Sequence, residues 1–180
     1  MIPTFGVWLI GMSYHWCTRR QVLVAAGIGG LALNGSGTVA ATEDQRNFRA
    51  PLAGENEVPP VDTRVRGLST FQLSRTGDEL QYRLIVANIE NLTMAHIHLA
   101  PEGENGPVVA WLYPDGPPPQ LIEGRFDGVL AEGVITATDL VGPLDDAPLS
   151  DLVDEIRAKQ TYVNVHTVAH PAGEVRGQIR

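Results

Sequence analysis

From residue 45 onward the chain alternates apolar and polar positions with a period of two, in short runs broken by Gly, Pro and Asp. Leu80, Tyr82, Leu84 and Val86 interleave with Gln81 and Arg83, and Leu68 to Leu73 lie just upstream, separated by Ser74-Arg75-Thr76-Gly77-Asp78-Glu79. That arrangement predicts a β-hairpin, because successive side chains on a strand point to opposite faces and the intervening residues favour a turn. The same reasoning predicts strands at 48–53, 93–99, 108–113, 124–130, 161–167 and 174–179. One segment, 149–160, carries Leu152, Val153 and Ile156 at helical spacing, with Ser150 or Asp151 available as its cap. The series predicts an all-β fold: an antiparallel β-sandwich or Greek-key barrel with one short helix.

The N-terminal segment has a different character. Thr18-Arg19-Arg20-Gln21-Val22-Leu23-Val24 precedes a glycine-rich apolar run from Ala25 to Leu33, and small residues follow at Thr38-Val39-Ala40-Ala41. This resembles a twin-arginine export signal over residues 1–41, leaving a single domain over 42–180. The apolar run is short for a membrane span and no second candidate follows, so no membrane span is expected in the remaining domain. The one cysteine, Cys17, lies in the signal region, which leaves the domain without disulfide or thiolate ligand.

Charge narrows the partners. All 21 acidic residues follow residue 42, and Arg19 and Arg20 are two of the 13 basic ones, so the domain carries ten more negative than positive charges, with Lys159 its sole lysine. An acidic, lysine-poor surface suits an exported protein or one from a high-salt setting. It argues against nucleic acid and anionic membrane surfaces as partners.

The candidate chemistry sits in two of the predicted strands. Four of the five histidines fall in Ala95-His96-Ile97-His98 and in Val163-Asn164-Val165-His166-Thr167-Val168-Ala169-His170. Alternation places His96 and His98 opposite Ala95 and Ile97, and His166 opposite Val163 and Val165, so these imidazoles face away from the expected core. Residues two apart on a strand have Cα atoms roughly 6–7 Å apart, which lets His96 and His98 converge on one ion. His166 joins them if the strands are neighbours at about 4.8 Å, and His170 can swing in from the turn that follows. Neutral imidazole is the commonest transition-metal ligand, and His96, His98, His166 and His170 are the predicted metal ligands. For any one histidine, an ordinary polar surface position is the simpler explanation; the clustering is what points to a site.

Several of these segments, with others, resemble a known family. Leu52-Ala53-Gly54-Glu55-Asn56-Glu57-Val58-Pro59-Pro60-Val61, Ala95-His96-Ile97-His98, Gly106-Pro107-Val108-Val109, Tyr162-Val163-Asn164-Val165-His166-Thr167 and Pro171-Ala172-Gly173-Glu174-Val175-Arg176-Gly177-Gln178-Ile179 look like the CHRD (chordin) domain over roughly residues 46–180. The resemblance implies an extracellular, immunoglobulin-like β-sandwich or barrel. A more distant resemblance is to copper-zinc superoxide dismutases, which are similar in placing a His-x-His pair on one strand, a further histidine after a valine-rich strand, and a late Ala-Gly-x-Arg segment beside copper. Here those features correspond to His96 and His98, His166, and Arg176, although Arg176 falls one residue late.

That second family's zinc loop and disulfide have no counterpart, which favours one copper ion over zinc. The resemblance implies superoxide as substrate and Arg176 as its catalytic guide. An ion pair of Arg176 with Glu174 or Glu57 is the structural alternative. Two other functions use the same features: an extracellular binding module for a protein or glycan, and a copper storage or delivery protein. A homo-oligomer stays open.

Overall fold

A computed structural model describes residues 45–180. The export signal expected at residues 1–41 lies outside the described residues. Seven strands and one helix follow in the order β1 (Asn47–Ala53), β2 (Arg66–Leu73), β3 (Leu80–Leu99), β4 (Val108–Tyr113), β5 (Ile122–Ile135), α1 (Leu149–Arg157), β6 (Thr161–Thr167) and β7 (Val175–Gln178). All pairings are antiparallel, and the all-β expectation holds.

β3 organises the molecule. Its first half pairs with β2 and β5, and its second half with β6 and β4. β2 continues through β1 and β7 to β6, so the path leaves β3 and returns to it, closing a barrel-like sheet. The 74–79 hairpin forms as expected, with Leu73 opposite Leu80.

The strands at 108–113 and 161–167 have the expected bounds. The two strands expected at 80–86 and 93–99 are one strand of 20 residues. Asn88 and Asn91, at φ 62° and 51°, are bends that the strand runs through, with register shifts against β5 on either side. β5 likewise extends past its glycines at both ends of the expected 124–130.

Inward positions build the core that the alternation foresaw. Leu80, Leu84, Val86, Ala95 and Ile97 of β3 pack with Val163 and Val165 of β6, and α1 adds Leu149, Leu152, Val153 and Ile156. Each such buried aliphatic larger than alanine contributes about 1.5–3 kcal/mol relative to exposure. The helix begins at the expected Leu149 and ends at Arg157, three residues short of the expected 160. Neither Ser150 nor Asp151 caps it, since Pro148 takes the N-cap position without a side-chain hydrogen bond and Asp151 sits in the first turn, where its charge suits the helix dipole. Among the described residues no helix is long and apolar enough to cross a membrane.

Candidate metal centre

The second half of β3 and β6 are direct neighbours, with Met94 opposite His166, His96 opposite Asn164 and His98 opposite Tyr162. Opposed residues share a face, so these six side chains form a ladder on the outside of the barrel, extended on β7 by Arg176 beside Asn164 and Gln178 beside Tyr162. The histidines therefore face away from the apolar core, as the alternation predicts. They are nonetheless buried, with only 3 % of His96, 9 % of His98 and 5 % of His166 exposed.

The cover comes from loops around the ladder. Residues 100–107 fold back on the end of β3, where the Leu99 N–H donates to the Pro107 carbonyl at 2.9 Å. Gly106 makes this approach feasible, since a Cβ there would lie 1.9 Å from the Leu99 carbonyl oxygen. Its own carbonyl accepts from His98 Nδ1 at 2.9 Å. On the other side the turn after β6 brings the Pro171 carbonyl to His166 Nδ1 at 3.0 Å. Gly173 permits that turn: at φ 128° it lies against the Asn164 amide, which a Cβ would meet at 2.4 Å.

These two carbonyls fix ring orientation and tautomer. A neutral His98 or His166 that donates through Nδ1 keeps its Nε2 lone pair free for a metal, a common way for metal-binding histidines to be oriented. His166 Nε2 faces His96 Nδ1 at 3.2 Å. Two nitrogens bound at 2.0–2.1 Å to one tetrahedral ion lie about 3.3 Å apart, so this spacing fits a shared ion. His98 Nε2 and His96 Nε2 are buried without a hydrogen-bond partner. One nitrogen from each of the three rings can be chosen so that all lie within 4.8 Å of one another.

Electrostatics keep the rings in the ligating form. Burial pushes the His96 imidazolium down to about 3, helped by the neighbouring positive charges of His166 and His98 when protonated. Burial likewise pushes His166 down to about 4, against the opposing pull of the Pro171 carbonyl. His98 is lowered chiefly by burial and also by the Arg176 charge, with the Gly106 carbonyl opposing. At neutral pH all three are uncharged.

Arg176 is 5 % exposed and fully engaged. Its Nε donates to Glu57 Oε2 at 2.8 Å, Nη1 to the Glu104 carbonyl at 3.0 Å and Nη2 to Asn105 Oδ1 at 2.6 Å. The ion pair with Glu57 is thus formed, while Glu174 instead accepts from Thr63 and Thr167. Glu57 is 4 % exposed, and burial raises its carboxyl pKa despite the Arg176 charge that opposes the shift. Arg176 ties together the loop carrying Glu57 and the loop carrying Gly106, and so holds the carbonyl that orients His98.

Of the four predicted ligands, His96, His98 and His166 come together. His170 lies half-buried in the turn after β6, outside the trio, where its backbone N–H donates to Thr167 Oγ1. Two aromatic neighbours escape a reading based on histidine spacing. Tyr162 stacks on His98 with centroids 4.9 Å apart and planes 9° apart, and the Arg176 guanidinium sits 4.3 Å from the same ring. Trp111 of β4 meets His96 edge-on at 4.2 Å. Tyr162 was detectable as the next outward position before Asn164 and His166; Trp111 carried no such signal, because its contact depends on β3–β4 pairing.

A family model described as CHRD domain matches residues 48–179, which takes in every strand of the barrel but the first residue of β1. No curated protein and no solved structure matches the chain.

Proposed function

The chain belongs to the CHRD domain family, and we propose that it is an exported member whose working site holds one copper ion through His96, His98 and His166. The observation that carries this reading is three buried, neutral imidazoles whose candidate ligand atoms lie within 4.8 Å, two of them oriented by backbone carbonyls. The nitrogens assigned as ligands are His96 Nδ1, His98 Nε2 and His166 Nε2. An all-imidazole donor set accepts copper, zinc and nickel, and the general affinity order favours Cu(II) among them. Export is supported by the Arg19-Arg20 segment and the acidic balance of the domain.

The finer reading is superoxide dismutation, in which two superoxide ions and two protons give one dioxygen and one hydrogen peroxide. Copper supplies the one-electron couple for such a reaction. The support is the His-x-His pair on one strand with the third histidine on its neighbour. A further support is the Arg176 charge, which, although paired with Glu57, acts on both His98 and His166. Its guanidinium lies 4.3 Å from the centre of the Tyr162 ring, and it acts by positioning and by field.

The 3–9 % exposure of the three rings favours holding the metal over presenting it, so copper storage or delivery is the second reading. The two separate on the copper-loaded full chain: first-order loss of pulsed superoxide, abolished in a folded His98→Ala variant, supports turnover. Stoichiometric copper without superoxide loss leaves storage or delivery.

A further inference from the structure

Met94 stands on the same ladder as the three histidines, two residues before His96 and directly across from His166. We infer that its thioether is a fourth donor to the copper held there, and that it tunes the site toward Cu(I). The inference rests on the copper reading and adds to it a sulfur ligand and an oxidation-state preference.

The backbone places Met94 through a bulge. Leu92 pairs with Thr167 and Met94 with His166, so Thr93 is the extra residue on β3. Bulges next to functional sites commonly re-aim a side chain. Here Leu92 and Ala95 stay in the core on either side, while Met94 remains on the outer face. The bulge is pinned to the ligand strand itself, because Thr93 Oγ1 donates to the His166 carbonyl at 3.2 Å. Directly opposed Cβ atoms lie about 4.5–5.5 Å apart, within reach of a methionine side chain with its three rotatable bonds. Met94 is half-buried where the three imidazoles are buried, which puts it at the edge of the covered part of the ladder.

The chemistry follows from softness. Three imidazoles alone favour Cu(II) over Zn(II) and Ni(II) without selecting for the reduced ion, whereas a thioether is a soft, uncharged donor that selects Cu(I). A fourth ligand of this kind stabilises the reduced ion and raises the potential of the couple.

The test compares the full chain with Met94→Leu, a substitution close in volume, and uses His98→Ala as the reference for loss of the site. Cu(I) and Cu(II) affinities are measured separately by competition with chelators, and copper–sulfur scattering by X-ray absorption. Met94→Leu is expected to lose the sulfur shell and to bind Cu(I) about tenfold more weakly. Its Cu(II) affinity stays near that of the unaltered chain, so the potential of bound copper falls by about 59 mV. Unchanged Cu(I) affinity and an unchanged sulfur shell in Met94→Leu, with copper still lost in His98→Ala, would overturn the role of Met94 and leave the copper site standing. Copper binding that is equal in the unaltered chain and in His98→Ala would overturn both.

Discussion

The two halves of β3 obey one alternation and end in different surroundings. In the first half the outward residues Gln81, Arg83 and Ile85 are exposed. In the second half the outward residues His96 and His98 are 3 % and 9 % exposed. The inward residues of both halves join one core. The difference lies entirely in what covers the outer face: the first half is bare, while the second is roofed by the loops around Glu57, Gly106 and Pro171. Polar side chains facing outward are ordinary; polar side chains facing outward under a roof cost desolvation and call for a ligand or a partner.

The sharpest way to break this contrast is to remove a ligand from the roofed half. His98→Ala is expected to lower copper affinity more than about a hundredfold, beyond what loss of an orienting partner costs, with the fold kept by circular dichroism. His170→Ala, outside the trio, is expected to retain stoichiometric copper in the same titration. Next in size is the buried ion pair. Arg176→Met leaves Glu57 buried and unpaired, which costs about 3–5 kcal/mol in urea unfolding. By contrast the Arg83–Glu132 pair on the bare half, at 3.7 Å with side chains 55 % and 67 % exposed, is worth less. Arg83→Ala is expected to change stability by about 0.5 kcal/mol or less.

Between these lies a pH effect on the metal-free protein. His96 and His166 titrate at about 3 and about 4 in the fold against 6.5 when exposed, so the unfolded chain takes up protons first as pH falls. Stability is intact above pH 6.5 and is lost as pH drops toward 4, at about 1.4 kcal/mol per pH unit for each histidine kept neutral. Glu57, raised above 4.5, works in the opposite direction, its contribution being lost as pH rises through its folded value. Urea unfolding between pH 7 and 4.5 is expected to show a shallower pH slope for His96→Ala than for the unaltered chain; equal slopes would place His96 in water.

Much of this was legible in the chain because strand alternation is local. The runs 108–113 and 161–167 carry their full bounds in β-branched and aromatic residues, and the outward placement of His96, His98 and His166 follows from parity alone. The continuity of β3 was hidden, because the clear alternation stops at Val86 and resumes at 93, while in the fold Asn88 and Asn91 are bends within one long strand. The roof was hidden for a different reason. Residues 54–65, 100–107 and 168–174 have no period, and their positions come from long-range contacts such as Arg176 with Glu57, Glu104 and Asn105. The distinction between surface histidines and a buried metal site therefore rested on the part of the chain with the least local pattern.

The most direct test of the central claim is a Cu(II) titration of the full chain without an affinity tag, read by electron paramagnetic resonance in high salt. The account predicts one saturable Cu(II) signal per chain with imidazole nitrogen couplings, lost in His98→Ala. Weak, heterogeneous signals that persist unchanged in His98→Ala would contradict it and return the three histidines to a structural role beneath the loops.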